Sequence, residues 1–270
     1  MNLNGARVIL TGAGSGIGRS LALELARRGN LLVLVGRNRE RLAEVAQMAR
    51  DAGGRALPFA FDVSDGHGHE RVVEFALEKL GGVDILINNA GVSSFEEFAR
   101  QDPAAIDRLI RTNVTGPLLL TRAVLPLMLG EGQGRIVNVG SAFGAIAFAH
   151  WAAYSASKFA LRGFSEALRR ELDGSGVGVT YVAPRATRTP LNSDAVYALS
   201  KKTGMNMDAP ETVALAIVRA IEAGRDEHAI GGPERFFAKV NALFPGIVNS
   251  ALRSQNRAAR ELLQDPAPGA

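Results

Sequence analysis

A glycine-rich turn between a short apolar run and a helical pattern constrains the fold of this chain most strongly. Residues 7–19 read RVILTGAGSGIGR, and the apolar run at 8–10 is typical of a strand buried on both faces. Four glycines follow within seven residues, namely Gly12, Gly14, Gly16 and Gly18. Glycines let the backbone turn tightly and approach a pyrophosphate, and the next helix offers its N-terminal N–H groups to the phosphates. The stretch therefore predicts the opening of a dinucleotide-binding unit rather than an ordinary strand-to-helix turn.

Apolar runs and helical patterns alternate along the rest of the chain. Further strands are predicted at 31–35, 56–61, 83–87, 135–139, 177–182 and 227–230. Helices are predicted after the glycine turn, at 39–52, from a cap at 64–65 to about 80, and at 103–128, 152–172 and 211–223. This alternation predicts an α/β fold, a single doubly wound domain with a central parallel sheet of about seven strands. We expect that domain to span residues 1–232 and a helical extension with a disordered end to occupy residues 233–270.

The composition excludes several kinds of site and partner. The chain has no cysteine, which rules out disulfides, thiolate zinc sites and a cysteine nucleophile, and no metal site is predicted. The net charge is +4, but the arginines are scattered, so no nucleic-acid partner is expected. The N-terminal sequence has no signal-peptide pattern, and no apolar run approaches about 20 residues. We therefore expect a cytoplasmic protein.

Distinctive residues follow most of the predicted strands. They are Thr11, Arg37, Asp62, Asn88, Ser141 and Pro184. The carboxyl ends of parallel strands meet at one edge of the sheet, where ligands of doubly wound folds bind. These residues are therefore expected to surround one ligand site.

A pair of residues on the helix predicted at 152–172 carries the strongest chemical signal. Tyr154 and Lys158 are four residues apart, so their side chains lie on one helix face. They follow Ser141 by 13 and 17 residues, and they lie downstream of the glycine turn and of the sequence NNAG at 88–91. This combination, from Thr11 to about Pro190, resembles the classical branch of the short-chain dehydrogenase/reductase family. The resemblance implies a Rossmann-type fold, a nicotinamide cofactor, oxidoreductase activity and assembly into a homodimer or homotetramer.

The resemblance also implies the catalytic roles. Tyr154 is the general acid in reduction and the base in oxidation, and Lys158 lowers the tyrosine pKa from its ordinary value near 10. Lys158 also binds the hydroxyls of the nicotinamide ribose. Ser141 donates a hydrogen bond to the substrate carbonyl oxygen, on which negative charge develops. Asn113 holds a water for proton relay to the lysine; the alternative for Asn113 is a polar residue that breaks a helix.

A longer set of residues is expected to bind the cofactor: Gly12, Gly14, Ser15, Gly16, Ile17, Gly18, Arg37, Asp62, Val63, Asn89, Ala90, Gly91, Tyr154, Lys158, Pro184 and Thr189. An NAD site usually has an acidic residue about 20 positions past the glycine turn, but here Gly36 stands there, followed by Arg37. An arginine can pair with a 2′-phosphate, so NADP(H) is favoured over NAD(H). Arg185 stands where the family often has a glycine. We interpret Arg185 and Arg188 as solvated loop charges, and binding of an anionic substrate is the alternative.

Aromatic side chains point to an apolar substrate. Phe143, Phe148, Trp151 and Tyr197 are expected to line the substrate pocket, and residues 190–209 are expected to form a flap over it. The sequence therefore favours NADPH-dependent, reversible reduction of an apolar ketone, aldehyde or 3-oxoacyl thioester. The alternatives are an epimerase or dehydratase that shares the Tyr-x-x-x-Lys pair, and a non-catalytic NADP-sensing regulatory protein.

The tail after Gly232 has three interpretations. Apolar residues recur at helical spacing from Phe236 to Val248, and Arg253, Arg257 and Arg260 follow. The favoured interpretation is a helix packed on the substrate pocket or on a neighbouring subunit. A helix on a membrane surface and a disordered tail are the alternatives.

Overall fold

Seven parallel strands form one central sheet. The computed structural model describes residues 3–264, apart from the side chains of residues 233–235. The strands are β1 (Arg7–Thr11), β2 (Leu31–Gly36), β3 (Arg55–Ala60), β4 (Ile85–Asn88), β5 (Gly134–Val139), β6 (Val177–Ala183) and β7 (Glu227–Ala229). Their order in the sheet is β3-β2-β1-β4-β5-β6-β7. The strand order reverses between β1 and β4, so a ligand crevice is expected beyond the carboxyl ends of these two strands. The prediction of a single α/β domain with a seven-stranded parallel sheet is confirmed.

Helices cover both faces of the sheet because successive strand residues point to opposite sides. Val8 and Leu10 of β1 pack in one apolar cluster, and Ile9 between them packs in the other. The helices are α1 (Gly16–Ala26), α2 (Arg39–Asp51), α3 (His69–Leu80), α4 (Pro103–Ile110), α5 (Gly116–Glu131), α6 (Ala152–Glu171), α7 (Asp194–Thr203), α8 (Pro210–Glu222), α9 (Gly232–Leu243), α10 (Pro245–Ala251) and α11 (Arg253–Gln264). The first cluster includes residues of α1, α2 and α8, and the second includes residues of α3, α5 and α6.

The start of α3 differs from the prediction. Its N-cap is Gly68, with φ of 85°, rather than Ser64 or Asp65. The Asp62 carboxylate accepts hydrogen bonds from the backbone N–H of Ser64 at 3.0 Å and from its hydroxyl at 2.8 Å. This side-chain turn competes with helix formation, so the chain stays non-helical for several more residues.

The helix predicted at 103–128 is divided into two. A π-helical turn at Arg111–Thr115 separates α4 from α5, and it carries Asn113. Gly116 begins α5, and a Cβ atom there would lie 2.4 Å from the carbonyl oxygen of Val63. The backbone therefore approaches the β3–α3 loop as closely as only glycine allows. Single π-helical turns inside helices often mark functional sites.

The C-terminal extension forms three helices, and only part of it packs on the domain. Ala259 of α11 is buried in a cluster with Trp151 and Leu199, whereas most large apolar side chains of α9 and α10 are exposed. The disordered end predicted for this extension falls on residues 265–270, outside the described residues. Among residues 3–264, no helix is both long enough and apolar enough to cross a membrane.

Candidate active site

A cleft of about 570 Å³ lies beyond the carboxyl ends of the strands. Every residue that was predicted to bind the cofactor lines it, and so does Ser141. This volume falls in the range of ordinary ligand and cofactor sites. The sequence therefore identified the residues of one continuous cleft, although they come from widely separated parts of the chain.

The glycine turn forms one wall of the cleft and has no room for larger residues. Gly12 has a φ of 64°, and a Cβ atom there would lie 2.8 Å from the Cα atom of Ala90. A Cβ atom on Gly18 would lie 2.0 Å from the carbonyl oxygen of Gly12. The side chain of Ser15, the N-cap of α1, makes no capping hydrogen bond. The first N–H groups of this helix therefore suit the pyrophosphate of a dinucleotide.

The sequence NNAG after β4 is hydrogen-bonded to the start of the glycine turn. The Thr11 hydroxyl oxygen accepts hydrogen bonds from the backbone N–H groups of Asn89, at 2.9 Å, and Ala90, at 3.0 Å. In return the Asn89 amide donates to the carbonyl oxygens of Thr11, at 3.0 Å, and Gly12, at 3.3 Å. The sequence distinguished Thr11 by its place at a strand end and at the start of the family resemblance, neither of which indicates a partner for its side chain. These contacts show that it joins the ends of β1 and β4 at the point where the strand order reverses.

Ser141, Tyr154 and Lys158 converge at the other end of the cleft. Tyr154 and Lys158 lie on the buried face of α6, and the Lys158 ammonium is 5.6 Å from the centre of the Tyr154 ring. Lys158 donates a hydrogen bond to the carbonyl oxygen of Val139 at 3.2 Å. The buried Tyr181 hydroxyl donates to the carbonyl oxygen of Ser141 at 3.3 Å. Tyr181 therefore fixes the backbone of Ser141, a role that the apolar pattern of β6 did not indicate.

Burial controls the protonation of this group. It raises the pKa of Tyr154 to about 12, against the opposing effect of a hydrogen bond with Ser141. It lowers the pKa of Lys158 to about 8. The expectation that Lys158 brings the Tyr154 pKa below its ordinary value is therefore wrong for this structure, because the loss of water around the phenol dominates. At neutral pH Tyr154 is a protonated donor beside a lysine that still carries its charge.

The Asn113 side chain joins two elements behind the cleft. Its amide nitrogen donates to the carbonyl oxygen of Val92 at 2.9 Å and to the Ser157 hydroxyl at 3.0 Å. Its amide oxygen accepts the Val92 N–H at 2.9 Å. The side chain thus ties the β4 loop to α6, and it does not line the cleft. A water-holding role for Asn113 stays a prediction.

Two arginines stand at the end of the cleft beyond β2. Arg37 and Arg41 are both exposed, and both line the cleft. Arg41 was not predicted from the sequence. It lies in the first turn of α2, where an arginine that lines a cleft has the same sequence pattern as one on the open surface. Gly36 has room for a small side chain, because a Cβ atom would meet the Leu42 side chain at 3.4 Å.

Arg185 is not the solvated loop charge that was expected. Its guanidinium forms a two-pronged ion pair with Asp208, with distances of 2.9 Å from Nε to Oδ2 and 2.8 Å from Nη2 to Oδ1. The backbones are also joined, since the Asp208 N–H donates to the Ala186 carbonyl oxygen and the Arg188 N–H donates to that of Asp208. The pair thus fastens both ends of the flap predicted at 190–209. Thr189 lines the cleft beside Gly16, and its contact with the cofactor stays a prediction.

The predicted substrate residues are only partly brought together. Phe143 and Trp151 line the cleft, and Phe148 stacks on Phe143 with ring centres 4.5 Å apart without lining it. Tyr197 does not line the cleft; its hydroxyl donates to the carbonyl oxygen of Thr189 at 3.1 Å. Further apolar lining comes from Leu191, Val196 and Met205.

Within residues 3–264, no group of three or more histidine or carboxylate side chains could hold a metal ion.

Comparisons with known proteins agree with this geometry. The sequence model for short chain dehydrogenase matches residues 6–198. Ketoacyl reductase HetN of Nostoc sp. is 37% identical over 82% of this chain and 76% of its own length. The 3-ketodihydrosphingosine reductase of Bos taurus is 35% identical over 85% of this chain and 72% of its own length. A short chain dehydrogenase/reductase from Burkholderia phymatum, solved in complex with NAD, superposes with a TM-score of 0.84 at 26% identity, covering 92% of this chain and 96% of that one.

The sequence, the fold and the relatives agree on one family. The family model covers most of the sheet and the entire Ser141–Tyr154–Lys158 group, and the named relatives are reductases. The chain therefore belongs to the short-chain dehydrogenase/reductase family and is an oxidoreductase that acts on alcohol or carbonyl groups with a nucleotide cofactor.

Proposed function

We propose that the chain reduces the carbonyl group of an apolar ketone, aldehyde or 3-oxoacyl thioester to an alcohol, reversibly and with NADPH. The observation that carries this proposal is that Ser141 and Tyr154 line the same cleft as several apolar side chains and as the glycine turn, which is expected to bind the cofactor. The raised pKa of Tyr154, about 12, keeps the tyrosine in the protonated form that reduction requires.

Ser141, Tyr154 and Lys158 have different roles in the proposed reduction. A nicotinamide cofactor held along the glycine turn would supply the hydride for the carbonyl carbon. The Ser141 hydroxyl donates a hydrogen bond to the carbonyl oxygen, and Tyr154 transfers its proton to that oxygen. The Lys158 cation, 5.6 Å from the tyrosine ring centre, stabilises the negative charge that this transfer leaves on Tyr154. In oxidation the same proton returns to the tyrosinate.

The rate of reduction is expected to depend on the charge of Lys158. A lysine is charged below its pKa, so kcat should be constant below about pH 8 and should fall as the pH rises through that value. Arginine keeps its charge to a much higher pH, so Lys158→Arg should move the fall upward by a pH unit or more. The pH profile of kcat under saturating NADPH measures this shift. A fall at the same pH in both proteins would assign the titration to another group.

The preference for NADPH is supported by the charges at the β2 end of the cleft. Arg37 and Arg41 offer two cations to a 2′-phosphate, and Gly36 offers no carboxylate to a ribose hydroxyl. The Burkholderia relative was solved in complex with NAD, so membership of the family does not by itself favour NADPH. The preference of this chain thus depends on its own residues at 36, 37 and 41.

Exchange of these residues is expected to reverse the cofactor preference. The wild-type kcat/KM should be at least about tenfold higher with NADPH than with NADH, because a charge-assisted hydrogen bond to phosphate contributes about 1.5–3 kcal/mol. Gly36→Asp with Arg37→Ile should favour NADH, since it removes a cation and supplies a ribose partner. The matched control is Arg39→Ile, an exposed arginine that does not line the cleft. A wild-type preference for NADH would overturn this assignment.

A substrate panel tests the proposed reaction. Oxidation of NADPH is followed at increasing chain length of an apolar ketone, alongside sugars and polyols. We expect kcat/KM to rise severalfold for each added methylene until the pocket is full, because each buried methylene contributes about 0.8 kcal/mol. Sugars that outrank apolar ketones would contradict the substrate class. Cofactor binding without turnover of any carbonyl would favour the non-catalytic sensor.

A second copy of the chain is the partner that we propose for the α5–α6 face. A shallow apolar groove of about 300 Å³ lies there, lined mainly by Leu118, Leu125, Pro126, Leu129, Phe164 and Leu168. Leu129 and the nearby helix residue Phe159 are exposed, and they are large apolar side chains. Light scattering on the purified chain should give the mass of a homodimer or homotetramer, and Leu129→Glu should lower it. A monomeric wild type would contradict the proposal. The cytoplasm stays the expected compartment.

A further inference from the structure

Five large apolar side chains are exposed within twelve residues of the C-terminal extension. They are Phe236, Phe237, Leu243, Phe244 and Ile247, with exposed fractions of 66%, 46%, 72%, 59% and 61%. Phe236 and Leu243 are seven residues apart in α9 and therefore lie on one side of that helix. Phe244 is the non-helical residue between α9 and α10, with φ of −137° and ψ of 64°, and Ile247 lies on α10. We call these five residues the α9–α10 apolar face. Clustered exposure of this kind marks an interaction surface, whereas single exposed apolar residues do not.

The segment that carries this face has a net positive charge. Between Glu234 and Glu261, residues 236–260 contain four basic residues and no acidic residue, and the four are Lys239, Arg253, Arg257 and Arg260. All four are exposed, and the Glu261 carboxylate is paired with Lys202 at 2.6 Å. Exposed apolar residues in a net positive helical segment are the composition of a helix that lies in the interface of an anionic lipid surface.

The apolar face is attached next to the active site. The Asn241 amide of α9 donates a hydrogen bond to the carbonyl oxygen of Ala145, at 3.1 Å, on the turn that follows Ser141. The α11 helix packs on α7, the helix of the predicted flap. The C-terminal extension therefore adjoins the elements that carry the substrate end of the cleft.

We propose that the α9–α10 apolar face docks this protein on an anionic phospholipid bilayer. A second copy of the chain fits this face less well, because a two-fold interface would bring two segments together that each carry four positive charges and no negative one. A bilayer surface with anionic headgroups complements both the apolar residues and the charge. The proposed contact is with the surface of the bilayer, at the depth of the headgroups.

Co-sedimentation of the full chain with vesicles tests this proposal. The probes are vesicles of phosphatidylcholine with and without 30% phosphatidylglycerol. We expect binding to the anionic vesicles, with affinity that falls as the salt concentration rises. Phe236→Ser with Leu243→Ser, and separately Lys239→Gln with Arg253→Gln and Arg257→Gln, should each weaken binding by about tenfold or more.

A matched control distinguishes specific docking from non-specific hydrophobic adsorption and from misfolding. Met48→Ser with Leu77→Ser removes two exposed apolar side chains from α2 and α3, and it should leave vesicle binding unchanged. All variants should keep the wild-type rate with a water-soluble short ketone or, if no carbonyl is turned over, the wild-type NADPH affinity. No sedimentation of the wild type, or equal binding to neutral vesicles, would overturn the proposal. A fall in particle mass in Phe236→Ser with Leu243→Ser would overturn it in favour of a second copy.

Discussion

Replacing Tyr154 with phenylalanine is expected to lower kcat for carbonyl reduction by about a hundredfold or more. The substitution removes the hydroxyl that donates the proton and keeps the ring, which packs edge-to-face on Phe143 with 5.6 Å between ring centres. The fold and the affinity for NADPH should therefore barely change. Single-turnover reduction and a separate titration of NADPH fluorescence measure the two quantities independently.

Tyr197→Phe is the matched control for this experiment. It removes a tyrosine hydroxyl that also makes a hydrogen bond, to the carbonyl oxygen of Thr189 at 3.1 Å, but that does not line the cleft. Its kcat should stay within severalfold of the wild-type value. A Tyr154→Phe protein that retains a near-normal rate would require a different proton donor, and the mechanism proposed above would be discarded.

Adding one methyl group at Gly18 is expected to abolish cofactor binding at concentrations that saturate the wild type. In the present backbone the Cβ atom of Gly18→Ala would lie 2.0 Å from the Gly12 carbonyl oxygen and 2.7 Å from the Asn89 amide. The glycine turn would have to move, and it would break the contacts that hold the ends of β1 and β4 together. We expect at least a hundredfold loss of NADPH affinity and a lower melting temperature, measured by calorimetric titration and thermal unfolding.

Gly163→Ala gives the corresponding control on α6. A Cβ atom at Gly163 meets nothing within 4 Å, and the residue lies on the exposed side of the helix. Alanine is favoured over glycine in a helix interior by about 1 kcal/mol, so this variant should be slightly more stable and should bind NADPH normally. Equal effects of the two substitutions would show that the glycine turn is not as tightly constrained as its geometry indicates.

The strands and the outline of the cleft could be predicted because their signals are local. Every predicted strand end lies within two residues of the observed one. Buried parallel strands are continuous apolar runs, and the residues after them must meet at one sheet edge. The family resemblance then supplied roles for residues such as Ser141 and Lys158, which spacing alone could not assign.

The sequence predictions differ from the structure where a local conformation or a pKa depends on contacts between residues that are distant in the sequence. The π-helical turn at 111–115 keeps a helix-like apolar pattern, so the sequence from 103 to 128 read as one helix. The direction of the Tyr154 pKa shift follows from how deeply α6 is packed, which no spacing reveals. The partner of Arg185 lies 23 residues further along the chain, and its charge alone could not distinguish an ion pair from a solvated side chain.

That ion pair has a consequence for protein engineering. Arg185 and Asp208 are joined through their side chains, and the flanking backbones are hydrogen-bonded to each other, so the residues between them form a closed loop on a fixed base. We expect that such a loop can be exchanged as a unit while the sheet keeps its structure, provided that the contacts of Leu199 with Trp151 and Ala259 are preserved. Grafts of substrate-contacting segments from relatives should therefore be joined at these two positions, with the arginine and the aspartate retained on the acceptor. A graft that also replaced Asp208 would lose the ion pair with Arg185 that holds the base of this loop.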